Sequence, residues 1–230
     1  MAVPKVLIGC PVAEEYAYAF EEVWQALQKI TYPSCDILFV DNSRTEGYFR
    51  QLKARGLPVI RGAYFPESRK RMIHNRNLLR AKTLDGGYDY HLCMDADIVL
   101  PPFAVDELLK PGKSIVSGVY FREMTSPTGQ VKAVPMIYVP AGEGKCTYVR
   151  DVFTPRVLKV VMCGLGCVLI HRSVLEKVRF SYDRGFEDQA FCKDAQAAGF
   201  EVFANTKVLC KHLYLRRDWH WKEYKIKRSA

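Results

Sequence analysis

The segment HLCMDADIVLPP, residues 91–102, places two aspartates at the end of an apolar run. Asp95 and Asp97 are separated by Ala96 alone. An ionised carboxylate is costly to bury unless a cation or a hydrogen-bond donor compensates its charge. The segment is therefore either an ordinary solvated turn or a site at which the two carboxylates bind a cation.

Further candidate ligands follow other apolar runs of the sequence. Asp41 and Asn42 lie in FVDNS, Glu187 and Asp188 lie in GFEDQ, and His212 lies in LCKHLYL. In open parallel sheets, ligands bind beyond the carboxyl ends of the strands, so these groups would meet at one edge. Carboxylate oxygens suit Mg²⁺ and Mn²⁺, and Mn²⁺ also accepts imidazole.

Each of these features has a structural explanation when it is taken alone. Asp41 can cap a turn, Glu187 and Asp188 suit the positive end of a helix dipole, and a single histidine is commonly a core residue. A D-x-D triplet after a strand also arises by chance. The order and spacing of all of them favour a metal site at this edge of the sheet.

The elements that would position these groups alternate between strands and helices. Near-continuous apolar runs indicate strands of a parallel sheet buried on both faces, namely VPKVLIGCPV, CDILFVDNS, LPVIRG, YDYHLCMDAD and SIVSGVYF. Helices are predicted for EEYAYAFEEVWQALQKI, ESRKRMIHNRNLLRAKTLDGG and PPFAVDELLK. The first of these helices has helical spacing of Tyr16, Phe20, Val23, Trp24 and Leu27. The chain is therefore α/β up to about residue 120.

Beyond residue 120 the pattern is mixed. Residues 122–155 are rich in Pro, Gly and Thr and lack a helical period, so loops with short strands are expected. VLKVVMCGLGCVLIHRSVLEKV predicts a strand, a glycine turn, a strand and a helix. FEDQAFCKDAQAAGF predicts a helix ended by Gly199, and EVFANTKVLCKHLYL predicts the last strands. Because no linker interrupts the chain, we expect a single domain.

The composition excludes several classes of protein. The 230 residues are 49% hydrophobic and 26% charged, which is typical of a folded globular protein and not of a disordered one. No apolar run approaches the roughly 20 residues of a membrane-spanning helix, and MAVPKVLIGCPV is interpreted as a first strand rather than a signal peptide. Eight scattered cysteines without a secretion signal favour free thiols in a reducing cytosol. CGLGC lacks the second pair that a zinc site needs.

Positive charge is concentrated in two segments of a chain whose net charge is +9. Residues 61–82 hold seven Lys and Arg against Glu67, and residues 207–228 hold eight against Asp218 and Glu223. Such clusters attract phosphates, nucleic acid or anionic membranes. A solvated helix face explains either cluster equally well when it is taken alone.

These segments resemble the motifs of the GT-A fold glycosyltransferases, especially glycosyltransferase family 2, from about Lys5 to His212. FVDNS is similar to the V-D-[DN]-[GS] turn of the family, and MDADIVLPP is similar to its D-x-D segment. HNRNLLRAK resembles the A-R-N-x-G segment, with Arg76 and Asn77 in the R-N positions but no glycine after them. MCGLGCVLIHRSVLEKV resembles the small-residue turn that approaches the acceptor. FEDQAFCKDAQAAGFEVF looks like the E-D segment of the family. KHLYL looks like the segment near the end of the fold whose histidine completes the metal shell in several GT-A enzymes.

The resemblance implies a GT-A (Rossmann-like) α/β fold, with a mostly parallel central sheet flanked by helices and a mixed C-terminal part. It implies a single catalytic domain at residues 1–213, with a nucleotide-sugar-binding half at 1–120 and an acceptor-binding half at 121–213. A basic aromatic tail follows at 214–230. The implied activity is metal-dependent transfer of a hexosyl or pentosyl group from a nucleotide-diphosphate sugar to an acceptor hydroxyl. The implied cofactor is Mn²⁺ or Mg²⁺.

The resemblance also implies roles for residues at matching positions. Asp188 matches the base of the inverting enzymes, and Glu187 would position the acceptor or raise the pKa of its neighbour. The implied metal ligands are Asp95, Asp97 and His212, so that a metal and the donor diphosphate, rather than protein groups, would compensate Asp95 and Asp97. The implied donor contacts are Pro11, Val12, Asp41, Asn42, Arg76, Asn77, Asp95, Ala96 and Asp97. The implied acceptor contacts are Gly164, Leu165, Gly166 and Glu187.

Alternatives stay open at the level of sequence. A retaining GT-A enzyme can also carry D-x-D and a late histidine, and a non-catalytic nucleotide-binding protein can keep the fold. A nucleotidyltransferase usually shows a glycine-rich, lysine-bearing loop after its first strand, which GCPVAEEYAY lacks. The acceptor could be a glycan, a lipid-linked molecule or a modified DNA base, and the oligomeric state stays open.

The end of the chain, LYLRRDWHWKEYKIKRSA, interleaves Trp219, Trp221 and Tyr224 with cations. Such a tail suits three roles, namely a lid over the donor, a contact with an anionic membrane surface, or binding of nucleic acid. We therefore expect a cytoplasmic protein, either free or peripheral to a membrane or to nucleic acid.

Overall fold

The structure, a computed structural model, describes residues 3–125, 129, 131–183 and 185–213. Its α-helices are α1 (Ala17–Leu27), α2 (Gly47–Ala54), α3 (Ser68–Asp85), α4 (Ala104–Leu109), α5 (Arg172–Lys177) and α6 (Glu187–Ala197). Its strands are β1 (Val6–Val12), β2 (Cys35–Asp41), β3 (Val59–Arg61), β4 (Tyr90–Met94), β5 (Ile98–Val99), β6 (Ile115–Val119), β7 (Phe121–Thr125), β8 (Val131–Pro135), β9 (Ile137–Pro140), β10 (Cys146–Tyr148), β11 (Val157–Val160), β12 (Met162–Cys163), β13 (Cys167–His171), β14 (Val202–Leu209) and β15 (Lys211–His212). The predicted tail at 214–230 lies outside the described residues.

Of the described strands, eight form one central sheet in the order β11-β14-β6-β13-β4-β1-β2-β3. β1 pairs in parallel with β2 and β4, β2 with β3, and β6 with β14. β13 runs antiparallel between β4 and β6, and β11 runs antiparallel at the edge beside β14. Six of the eight strands therefore run in one direction, which confirms the predicted mostly parallel sheet.

Both faces of the central sheet are covered, which explains the near-continuous apolar runs of its strands. All seven residues of β1 are buried. Side chains along β4 alternate between two cores. Leu92 and Met94 join the core under α1, α2 and α4, whereas Cys93 joins the core under α5 and α6.

The part of the chain beyond residue 120 contains short strands, as the sequence predicted. β7 and β8 form an antiparallel hairpin, and β10, β9 and β12 form a three-stranded sheet. β15 pairs with β5 so that His212 lies opposite Ile98. Within the described residues, no helix combines the length and the apolar character needed to cross a lipid bilayer.

The central sheet brings the predicted site segments to one edge. Val12, at the end of β1, is in register with Asp41 at the end of β2. β4, the other neighbour of β1, ends at Met94, and Asp95 follows directly. Since these three strands are parallel, their carboxyl ends lie at the same edge of the sheet, where open α/β folds bind ligands.

Candidate active site

The first aspartate of MDAD forms a buried ion pair. Nη2 of Arg76, on α3, donates to Oδ1 of Asp95 at 2.6 Å. Arg76 is 1% exposed, and its Nη1 contacts Cys93 Sγ and the Leu165 carbonyl oxygen. Burial raises the pKa of Asp95, while the Arg76 guanidinium opposes this shift. Asp95 therefore has a protein partner that the sequence did not predict, and its part in binding a cation and a diphosphate stays a prediction.

The second aspartate of MDAD faces the late histidine. Nε2 of His212 lies 3.3 Å from Oδ2 of Asp97, and both residues are buried. The Phe121 carbonyl can only accept, so Nδ1 of His212 carries the proton and donates to it at 2.6 Å. Burial lowers the pKa of His212, but the hydrogen bond and charge of Asp97 outweigh this effect and raise it. Asp97 thus has a protein partner too, and the predicted metal binding by Asp97 and His212 stays a prediction.

The Asp97–His212 pair fits the requirements of a divalent cation. Histidines that bind metals commonly donate their other ring N–H to a carbonyl, as His212 does to Phe121. Within the described residues, no cluster of three or more His, Cys, Asp or Glu side chains forms a complete metal cage. Mg²⁺ is usually held by one or two carboxylates with substrate phosphates and water, so a two-residue set suffices.

A glycine turn joins β12 to β13 and packs against Asp95. A Cβ at Gly166 would lie 2.9 Å from Asp95 Oδ2 and 2.8 Å from Cζ of Tyr120, and a Cβ at Gly164 would lie 2.1 Å from Oη of Tyr120. The Gly166 N–H donates to Oη of Tyr120 at 3.2 Å. Glycine is therefore required at both positions, because Tyr120 approaches the backbone too closely to leave room for a Cβ atom. Tyr120 was not among the predicted site residues, because it looked like one more aromatic residue of the strand SIVSGVYF.

The predicted acid pair lies in the first turn of α6. Phe186 is the N-cap of this helix, and Glu187 and Asp188 follow it. The backbone N–H of Gln189 donates to Oδ1 of Asp188 at 2.7 Å. Burial raises the pKa of Asp188, the Gln189 hydrogen bond lowers it, and the charge of Glu187 raises it further, so the net shift is upward.

A central cleft of about 430 Å³ brings these groups together. Its polar lining consists of Arg76, Asp95, Arg122, Glu187, Asp188, Gln189 and His212. Its apolar and aromatic lining includes Leu165, Tyr120, Tyr138, Phe186 and the methionines 124, 136 and 162. Asp97 does not line this cleft, but it contacts His212, which does. The central cleft therefore combines three half-buried carboxylates, those of Asp95, Glu187 and Asp188, with a predominantly apolar wall.

A second cleft, the β1 cleft, has a volume of about 420 Å³ at the end of β1. Three predicted donor contacts line it, namely Pro11, Val12 and Asn42. Tyr16 and Tyr18 line it as well. The sequence placed Tyr16 on the apolar face of a helix, but the residue precedes α1 and is 40% exposed. Burial raises the pKa of Tyr16 to about 12, with Asp97 and Asp95 adding to the shift, so the two clefts are electrostatic neighbours.

Asp41 does not line the β1 cleft, because it is fully buried. Its Oδ1 accepts from the backbone N–H of Ser43 at 3.1 Å and from the Ser43 hydroxyl, and its Oδ2 accepts from Arg61. Arg61 also donates to the Ser43 carbonyl, and Ser43 Oγ accepts from the Glu14 N–H at 2.8 Å. Asp41 therefore fixes the turn that carries Asn42.

Three other predicted donor contacts also lie outside both clefts, namely Asn77, Ala96 and Asp97. The Asn77 amide exchanges hydrogen bonds with the Phe180 backbone, donating at 2.9 Å and accepting at 3.1 Å. Ala96 is 8% exposed between the two aspartates. Asn77 thus holds α3 against the segment after α5, and nothing in the structure brings its side chain to a cleft.

Comparisons with known proteins add information on the fold. No protein-family model and no curated protein sequence matches the chain. The solved structure of GalNAc-T7 with UDP, GalNAc and Mn²⁺ is 12% identical, with a TM-score of 0.61, over 91% of this chain and 44% of that one. The mannosyltransferase PcManGT from Pyrobaculum calidifontis, in complex with GDP-Man and Mn²⁺, is 16% identical, with a TM-score of 0.60, over 99% of this chain and 61% of that one. This chain has the GT-A fold.

The GT-A fold confirms the predicted α/β class and the central sheet. A197 from STIV is also similar, at 16% identity and a TM-score of 0.53, over 90% of this chain and 85% of that one. The chain spans less than two thirds of GalNAc-T7 and of PcManGT. At these identities the likeness concerns the fold, so the chemistry of the GT-A site must be argued from the residues of this chain.

Proposed function

We propose that this chain is a metal-dependent glycosyltransferase, which moves a hexosyl or pentosyl group from a nucleotide-diphosphate sugar to an acceptor hydroxyl. The observation that carries the proposal is the central cleft, in which Asp95, Asp188 and His212 line one cavity beside the glycine turn. Similar structures contain UDP, GalNAc and Mn²⁺ or GDP-Man and Mn²⁺, which supports a nucleotide-sugar donor here.

The donor nucleoside would occupy the β1 cleft, within the half of the domain at residues 1–120. Tyr16 and Tyr18 offer flat rings there, Asn42 offers an amide, and Arg71 offers a positive charge. The diphosphate would extend from the β1 cleft toward Asp97 and Asp95, whose charges both act on Tyr16. The half at residues 121–213 would then bind the acceptor.

Asp97 and His212 would hold Mn²⁺ or Mg²⁺, with Asp95 on the neighbouring side of the triplet. When bound, the ion supplies positive charge that stabilises the leaving diphosphate. The protein contributes fixed geometry, because the Phe121 carbonyl orients the imidazole of His212. Arg76 orients Asp95 and adds a second positive charge, which is already in place before the reaction.

Asp188 would act as the general base of an inverting transfer, and Glu187 would position the acceptor. Asp188 accepts the proton of the acceptor hydroxyl as its oxygen attacks the anomeric carbon. Because burial raises the pKa of Asp188, the base is ionised only above that raised value. We therefore expect kcat to fall as the pH is lowered through the raised pKa.

The test combines donor binding with turnover in Asp188→Asn. Melting curves with UDP or GDP, with and without Mn²⁺, report donor binding. A ligand at about 100 times its Kd adds roughly 2.7 kcal/mol, which is a shift of about 5–10 °C for a domain of this size. We expect Asp188→Asn to keep this metal-dependent shift and to lose transfer by a factor of about 100 or more.

Asp85→Asn provides the matched control, because this aspartate is exposed at the end of α3. It should keep both the shift and the activity. Near wild-type transfer by Asp188→Asn would remove this residue from the role of base. Absence of a shift with every nucleotide diphosphate, in a folded wild-type protein, would refute the glycosyltransferase proposal itself.

A further inference from the structure

A second groove continues from the central cleft along α6. This outer groove has a volume of about 430 Å³ and shares Met162 and Gln189 with the central cleft. Since both cavities touch the same two side chains, the outer groove lies next to the cleft that Asp188 lines. The two cavities together make an acceptor path larger than a single hydroxyl requires, so this path suits an acceptor that is part of a chain.

One wall of the outer groove is a polar stripe on α6. Gln189, Lys193 and Gln196 follow each other at intervals of four and three residues, so they share one face of the helix. Nε2 of Gln196 donates to the Val161 carbonyl at 2.6 Å, which fixes the floor of the groove.

The opposite wall of the outer groove is the turn between β9 and β10. Gly142, Glu143 and Gly144 all have left-handed backbone conformations, with φ of 86°, 45° and 71°. The N–H of Lys145 closes the turn by donating to the Gly142 carbonyl at 2.8 Å. This turn brings Glu143 and Lys145 into the lining of the outer groove, to which Lys193 of α6 also belongs.

Positive charge follows the whole path. Arg122 and Met124 line the central cleft from β7, and Lys132 lies directly opposite Met124 on β8, on the same face of the hairpin. Arg69, on α3, stacks on the ring of Phe186 at 4.6 Å. With the two lysines of the outer groove, the rim cations are Arg69, Arg122, Lys132, Lys145 and Lys193. Among the described residues, none of these five forms an ion pair with a carboxylate.

The wall nearest to Asp188 is flat and apolar. Phe186, two residues before Asp188, is 58% exposed, and Met124 is 46% exposed. Tyr138 and Met162 complete this side of the central cleft. An aromatic ring and adaptable thioethers favour a planar partner, and stacking of a base on an aromatic side chain is worth about 1–3 kcal/mol.

We propose that the acceptor is a hydroxyl-bearing base of a nucleic-acid strand, turned into the central cleft while its strand follows the outer groove. The proposal rests on the proposed glycosyltransferase function. Phosphates of the strand contact the rim cations, and the base lies against Phe186. A polyprenyl phosphate fits less well, because the cations are spread over several elements rather than gathered at one headgroup site. The apolar residues of the outer groove are also interrupted by Gln and Lys side chains and by Glu143, so they do not form a continuous apolar channel.

The chemical step is a single displacement that balances without a further reactant. The base-borne hydroxyl oxygen forms a bond to the anomeric carbon of the donor sugar, and its proton passes to Asp188. The bond between the anomeric carbon and the β-phosphate oxygen breaks, and its electron pair leaves with the nucleoside diphosphate.

The first experiment measures binding of the full chain to a fluorescein-labelled single strand of about 20 nucleotides over a salt series. The rim variant is Arg122→Gln/Lys145→Gln/Lys193→Gln. The matched control, Lys29→Gln/Lys53→Gln/Lys82→Gln, removes the same charge from exposed positions elsewhere. Each phosphate contact on a single strand contributes about 0.7 to the slope of log K against log salt. We expect the slope of the rim variant to become shallower by about 2, and that of the control to stay close to wild type.

Equal slopes for the rim variant and the control would overturn the proposal. The second readout is transfer to the same strand carrying hydroxymethylated pyrimidines, compared with the free nucleoside and with vesicles that contain polyprenyl phosphate. A preference for the vesicles, or equal kcat/KM for strand and free nucleoside, would also overturn it. The metal-dependent melting shift with UDP or GDP separates the two proposals, because a wrong acceptor leaves that shift intact in all variants.

Discussion

At the scale of single residues, Asp41 has the turn-capping role that was one of its two interpretations at the level of sequence. Its carboxylate is fully buried and is satisfied by Ser43 and Arg61. A sequence pattern places a residue at the end of a strand, but it does not say whether the side chain points to the solvent edge or back under the turn. The β1 cleft is therefore shaped by Asp41 and lined by Asn42.

Asp41→Asn should destabilise the fold, because it removes the charge that compensates Arg61. Loss of one partner of a buried pair costs about 3 kcal/mol, toward the lower end here since Arg61 is a quarter exposed. Urea unfolding at an unchanged m-value measures the loss, and Arg61→Met in a double-mutant cycle should reveal a coupling of at least about 1 kcal/mol.

The same two variants separate positioning from direct contact with the donor. If Asp41 acts through the turn, both Asp41→Asn and Arg61→Met weaken the nucleotide-dependent melting shift to a similar extent. A loss confined to Asp41→Asn, with stability unchanged, would instead support the direct donor contact that the family resemblance implies.

Asp95 and Asp97 show what residue spacing can predict and what it cannot. The position of the two aspartates after β4, and that of His212 near the end of the domain, could be predicted from the sequence. The structure places both aspartates at the same edge of the central sheet. The partner of Asp95 was not readable, because Arg76 comes from the middle of α3, on which it is 1% exposed. Contact between residues so far apart in sequence depends on how α3 packs on the sheet.

At the scale of elements, the glycine turn between β12 and β13 sets the shape of the central cleft. Gly166 lies between Asp95 and Tyr120, and its carbonyl accepts from the Asp95 N–H at 3.3 Å. The turn was predictable from MCGLGC, since small residues between two apolar runs indicate a tight connection. Its contact with Tyr120 was not predictable, because it depends on the end of β6.

Gly166→Ala should reduce transfer strongly while the protein stays folded. The added methyl group would lie 2.8 Å from Cζ of Tyr120 and 2.9 Å from Oδ2 of Asp95, so one of them must move. Overpacking of this kind costs about 1–3 kcal/mol. Steady-state kinetics and a melting curve measure the two effects. Gly47→Ala is the matched control, because its nearest contact would be an ordinary 3.6 Å to Thr45 Oγ1. Wild-type kinetics in Gly166→Ala would show that the close approach has no bearing on Asp95.

Short amphipathic elements were the least predictable part of the fold. The sequence analysis found no helix between β2 and β3, yet α2 forms at Gly47–Ala54. Only Tyr48 and Leu52 of α2 are buried, one turn apart, and two apolar contacts do not produce a period that stands out in a sequence. By contrast, α1 and β1 have long apolar patterns, and both were predicted within a few residues of their bounds.

At the scale of the whole molecule, the parallel half of the sheet was predictable and the antiparallel insertion was not. Apolar runs separated by helices required the parallel strands β1 to β4 to be covered on both faces. The position of β13 between β4 and β6 follows from long-range pairing, which a local pattern does not encode. This insertion brings the glycine turn, which precedes β13, next to Asp95, which follows β4.

The buried His91 on β4 predicts how the stability of the whole fold depends on pH. His91 is fully buried beneath α3, next to Gly9 and Thr83. Burial, together with the charge of Arg76, lowers the pKa of His91 from 6.5 to about 3. Between these two values the unfolded chain binds a proton that the folded protein does not. The free energy of unfolding must therefore fall as the pH drops from about 6.5 toward 3, and His91 contributes nothing to this slope above that window.

His91→Gln removes the imidazole that binds this proton when the chain unfolds. Within the window we expect the free energy of unfolding of the variant to depend less steeply on pH than that of the wild type, by up to about 1.4 kcal/mol per pH unit. Urea unfolding at several pH values measures both slopes. Leu92→Val, a core substitution on the same strand, lowers stability without a titrating group, so its slope should match that of the wild type. If His91→Gln also keeps the wild-type slope, the acid sensitivity arises from carboxylates, and the imidazole must already be protonated inside the fold.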